Sequence, residues 1–175
     1  QVQIRNKFEL ETSRLETAVV NRLEIYINVL RSGRGLFAAS EFVSRQEWEK
    51  FISSMNFDNN YPGVQGFGFA RYLLSTEKGP FVDEMRKEGF ADFNITPEGE
   101  RDIYVPVTYI EPFTGRNLRA FGFDMSSEGV RRTAIENARD NGRIQLSGKV
   151  TLKQEENEEF KQPGALIYVP IYKNG

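Results

Sequence analysis

Seven apolar residues near the start of the chain, Ile4, Phe8, Leu15, Val19, Leu23, Tyr26 and Leu30, recur at spacings of three, four or seven. Arg5, Glu9, Arg14, Glu16 and Arg22 take the positions between them. That period places the apolar side chains on one stripe of an α-helix and the charges on its other faces. The stripe predicts a helix over about residues 3–32, stopped by Gly33 and Gly35. A helix of this length spans roughly 45 Å at 1.5 Å per residue, longer than a small domain is wide. Its C-terminal half is expected to pack on its own domain, and its N-terminal half to form a seam with a second copy.

After Gly35 the pattern predicts a helix over 36–43 and another over 45–55, with Ser44 as N-cap and Gln46 and Glu47 in its first turn. A loop over 56–63, rich in Asn, Asp and Pro, follows. The periodicity then changes to two. Gly66 to Tyr72 alternates small and aromatic residues, as does Ala120 to Met125, where Phe121, Phe123 and Met125 fall on one face and Ala120, Gly122 and Asp124 on the other. Two strands that each lack bulk on one side leave room for a small molecule. Asp124 at such a face must find a donor if buried, which makes it the first candidate for a ligand-reading group. The alternative is that its carboxylate caps nearby backbone amides or pairs with Arg119, Arg131 or Arg132.

Further strands are expected over 102–110, 144–152 and 165–172, and helices over 76–88 and from Ser126 or Ser127 to Gly142. Pro112, Gly115 and Asn117 are expected to turn a hairpin into the Asp124 strand. Residues 154–162 read as an acidic, solvated hairpin tip. The order gives an α+β fold: a long N-terminal stalk helix, then an antiparallel sheet flanked by helices. The division is a stalk over 1–35 and a sensing domain over 36–175.

Composition removes several function classes. The 175 residues contain no His and no Cys, which takes away the usual general bases, thiol nucleophiles and transition-metal ligands. No catalytic residue, metal site or cofactor is assigned. Glu98, Glu100, Asp102 and Glu111 show no spacing that selects a glycosidase pair. A net charge of −2 with scattered Arg and Lys offers no basic track for nucleic acid. No apolar run reaches the ~18 residues needed to cross a bilayer.

The runs YVPVTYIEP, GRNLRAFGFDM, RRTAIENARDNGRIQLSGKVTL and GALIYVPIY, with RGLFAASEFVSRQEWEKFI and YPGVQGFGFARYL upstream, resemble the CHASE domain over about residues 30–173. That family comprises extracytoplasmic sensors of plant cytokinin receptors and bacterial membrane signalling proteins. The resemblance implies a PAS-like ligand-binding half, a small-molecule ligand, a homodimer joined through the stalk, and a periplasmic location between membrane helices outside this chain. It also implies that a second, membrane-proximal lobe is missing or small. The output, a histidine kinase or diguanylate cyclase, would lie elsewhere, so this fragment is not expected to be an enzyme. In the plant receptors an Asp and the backbone of a Leu hold the adenine ring; by resemblance these fall on Asp124 and Leu146. Gly122, Ala70 and Arg71 on the bare-faced strands, Tyr104, and Ser147 and Lys149 beside Leu146 complete the candidate ligand site. The sequence departs from the plant pattern over 151–162, and Lys149 suits an anionic or amino-acid-like ligand better than a cytokinin-like purine. The runner-up function is a ligand-free dimerisation and spacer module.

Overall fold

A computed structural model describes residues 2–155 and 163–172, with the side chains of Val2, Asp58 and Asn59 left aside. The fold is α+β. The order is α1 (Val2–Ala38), α2 (Arg45–Ser54), α3 (Phe57–Asn60), β1 (Phe67–Ala70), β2 (Leu73–Leu74), α4 (Lys78–Lys87), β3 (Ile103–Tyr104), β4 (Val107–Glu111), α5 (Gly129–Asn141), β5 (Gln145–Leu146), β6 (Val150–Thr151), β7 (Pro163–Gly164) and β8 (Ile167–Tyr168). The chain divides into two compact units, residues 1–41 with 171–175, and residues 42–170.

The first unit is dominated by α1, which runs 37 residues without a break. The expected stop at Gly33 and Gly35 does not occur, and neither does the separate helix over 36–43. A helical glycine costs only about 1 kcal/mol relative to Ala, which its neighbours on both sides outweigh. Ile4, Phe8, Leu15 and Val19 are all exposed, whereas Val29 is buried.

In the second unit α2 begins as the sequence predicts. The Ser44 hydroxyl accepts from the Glu47 amide, and the Glu47 carboxylate reaches back to the Ser44 N–H at 2.8 Å. The expected antiparallel sheet is present as four two-stranded ribbons, β1 with β4, β2 with β3, β5 with β8, and β6 with β7. The strand expected over 102–110 is split at Val105 and Pro106, because proline has no amide to give a ladder. Arg45, the first residue of α2, ties these parts together. Its guanidinium lies 4.6 to 5.8 Å from the ring centres of Phe90, Tyr109, Phe121 and Phe113. It also donates to the Thr108 carbonyl and to Glu88, each at 2.9 Å. One apolar cluster gathers Leu73, Phe81, Val82, Met85, Phe93, Ile95 and Tyr104.

The largest departure lies at residues 115–124. Instead of a hairpin turn leading into a strand, Gly115–Ala120 forms a 3-10 helix, and Phe123 and Asp124 make only single bridges, to Thr96 and Pro106. Ala120, Gly122 and Asp124 therefore do not share a strand face. Gly122 has φ +78°, a left-handed conformation that breaks strand alternation. Gln154 and Glu155, expected at a solvated tip, are buried; Glu155 accepts from Gln65 and Arg116, each at 2.8 Å. Residues 156–162 of that expected tip lie outside the described residues.

Candidate ligand-binding site

Asp124 is wholly buried. Its Oδ1 accepts three hydrogen bonds, from the Val105 N–H at 2.8 Å, the Ser126 N–H at 3.0 Å and the Ser126 hydroxyl at 2.6 Å. Those bonds hold the break between β3 and β4 against the 3-10 turn Met125–Ser127, which Asp124 caps. The other oxygen differs. Oδ2 is buried without a hydrogen-bond partner, and Arg101 Nη1 stands 3.5 Å away, an ion-pair distance. The carboxylate thus has one oxygen fully engaged in the fold and one facing a single cation.

Arg101 is also a wall of a cleft of about 210 Å³, whose lining includes Val105 and Ser126, the two residues that bind Asp124. Tyr72, Asp102 and Ile103 also line it, as do Arg132, Ile135, Glu136 and Arg139 of α5. The four α5 residues sit at i, i+3, i+4 and i+7 and so share a helix face. Arg139 is engaged by Asp140 at 2.6 Å and by the Tyr72 hydroxyl at 2.8 Å, which drive its pKa upward. Arg132 makes one long bond, 3.4 Å to the Ser126 carbonyl. The opposite face of α5, through Val130, Thr133, Ala134 and Asn137, borders a second, more open cavity of about 300 Å³ with Gln145, Leu146 and Gly148.

The residues singled out by sequence are thus distributed. Asp124 adjoins the smaller cleft through Val105, Ser126 and Arg101, while Leu146, 54% exposed, lines the larger one. Tyr104 is buried in the core; its hydroxyl donates to the Gly99 carbonyl and accepts the Arg101 N–H, both at 2.9 Å. Gly122 is packed, not bare: a Cβ there would stand 2.6 Å from the Asn94 carbonyl oxygen. Ala70 lies on β1 opposite Val107. Arg71 pairs with Glu84 at 2.7 Å and covers the Phe81 ring at 5.0 Å. Ser147 is buried, accepting from the Leu166 N–H at 2.9 Å and donating to the Gly148 carbonyl at 2.8 Å, and Lys149 is exposed. Tyr72, Arg101, Arg132 and Arg139 were missed as cleft residues. The spacing of Arg132, Glu136 and Arg139 was the available signal; nothing local tied Arg101 to Asp124. Among the described residues, no cluster of three or more acidic side chains could hold a metal ion.

Residues 41–175 match the family model described as the CHASE domain. No curated protein matches the chain.

Proposed function

This chain belongs to the CHASE domain family, and from that membership we propose that it is the periplasmic small-molecule sensor of a transmembrane receptor with a histidine kinase or diguanylate cyclase output. CHASE domains are extracytoplasmic sensor modules of membrane receptors, and the match covers the whole second unit. The observation that carries the ligand-binding part is the cleft lined by Arg101, Val105 and Ser126, the residues that hold the buried Asp124 carboxylate behind it. In this reading the PAS-like half takes its ligand there, the α5 face reads it, and the change passes through α1 to membrane helices that flank the module. Among the described residues no helix is long and apolar enough to cross a membrane.

The exposed stripe Ile4, Phe8, Leu15 and Val19 supports a homodimer through α1, and it serves a ligand-free spacer equally well. Titration of the isolated module with a mixed panel of bases, sugars, organic acids and amino acids, followed by amide NMR at Val105 and Ser126, separates the two. A saturable shift at both amides supports the sensor. No shift with any compound would leave the spacer.

A further inference from the structure

The cleft keeps opposite charges apart. Arg132 has no ion-pair partner among the described residues, although Glu136 is one helical turn away and α5 would bring the two together if a mutual pair were favoured. Asp102 and Glu136 likewise line the cleft with no ion pair among the described residues. Arg101 is anchored by one nitrogen, Nη2 to the Pro97 carbonyl at 2.9 Å. Its second terminal nitrogen, Nη1, has only long contacts, 3.4 Å to the Gly99 carbonyl and 3.5 Å to Asp124 Oδ2. The cavity of about 210 Å³ has room for a compact polar molecule.

We propose, on the reading of this cleft as a sensor site, that its ligand is a small zwitterion of amino-acid size. Arg132 and Arg101 Nη1 receive the carboxylate, and Glu136 and Asp102 receive the ammonium. Planar guanidinium groups match a carboxylate with paired N–H donors, and the two acids supply the complementary charge at the other end. When Nη1 turns to the ligand, Asp124 loses its nearest cation while keeping the Val105 and Ser126 bonds, so binding is felt at a buried group that the ligand does not touch. This goes beyond a carboxylate-only site, because the acidic lining would repel a simple acid.

The test uses the whole module with glycine, L-alanine and L-serine as zwitterions, propionate and ethylamine as half-ligands, and adenine as a neutral ring. Calorimetry gives affinity, and amide NMR at Val105 and Ser126 gives location. The expected result is that at least one amino acid shifts both amides and binds at least tenfold more tightly than either half-ligand. Arg132→Gln and Glu136→Gln, both at exposed positions, should each weaken that amino acid by roughly 10- to 100-fold with an unchanged melting temperature. Propionate binding as tightly as L-alanine, or full affinity in Arg132→Gln, would overturn the zwitterion. Adenine shifting the same amides while every amino acid is silent would overturn it and leave the sensor standing. Silence from these probes and from the mixed panel would overturn both.

Discussion

At the scale of the residue, Asp124 does structural work that a ligand-reading role alone would not require. Replacing it with Ala strands the Val105 and Ser126 donors in a fully buried position. Asp124→Ala should therefore lose roughly 2–4 kcal/mol in denaturant unfolding, and Asp124→Asn distinctly less, because an amide oxygen can still accept at Oδ1. Equal stability of Ala and wild type would mean that the three bonds contribute nothing net. Gly122 gives a second prediction. Its positive φ and the Asn94 carbonyl leave no place for a side chain, so Gly122→Ala should cost about 2 kcal/mol or more and lower the melting temperature. The sequence reading singled out both residues but set them on one bare strand face, where the structure has Gly122 packed in a left-handed conformation and Asp124 wholly buried. It could not say which neighbour made them so, since Asn94 and Arg101 arrive from 28 and 23 positions upstream.

At the scale of the element, helix ends were more legible than strands. Ser44 and Gly142 are recognisable in sequence because caps are local, and both occupy the cap positions of α2 and α5. The α5 start was misplaced by one or two residues: Glu128, not a serine, accepts from the Val130 and Arg131 amides at 3.0 and 3.1 Å. Burial pushes the Glu128 carboxyl up, but those amide bonds and Arg131 outweigh it and hold it below the usual glutamate range. A lowered folded-state pKa contributes stability above the unfolded value of about 4.3, and that contribution disappears as pH falls through the folded value. The melting-temperature gap between wild type and Glu128→Ala should thus be full at pH 7 and close toward pH 3. A gap that persists at pH 3 would assign the effect to hydrogen bonds and packing of the neutral side chain. Strands were harder to read, since the alternation around Phe121 is satisfied by a 3-10 helix and an irregular segment that periodicity of two cannot distinguish from a strand. Of the residues proposed for the site, Asp124 was singled out in sequence and the α5 wall was not, because surface charge on a helix carries no label for what faces it.

At the scale of the whole molecule, α1 holds Ile4, Phe8, Leu15 and Val19 in solvent along one stripe, while Ser13 lies on the opposite side of the helix. In an intact receptor, Leu15→Cys and Val19→Cys should cross-link between subunits under oxidising conditions, and Ser13→Cys should not. Equal cross-linking at all three positions would rule out a defined seam. Among the described residues the eight strands run as two longer antiparallel ribbons: β1 and β2 against β4 and β3, joined by the Arg71 N–H to the Pro106 carbonyl at 3.3 Å, and β5 and β6 against β8 and β7, joined by the Ser147 N–H to the Leu166 carbonyl at 2.8 Å. Each of the two can open and re-close as its own reversible event. Hydrogen exchange should accordingly show one protection level shared by Phe69, Tyr109, Leu73 and Tyr104 and a different one for Leu146 and Ile167, whereas a single value for all six would mean that the two ribbons open together. A unit stitched along two seams can loosen at one without unpicking the other.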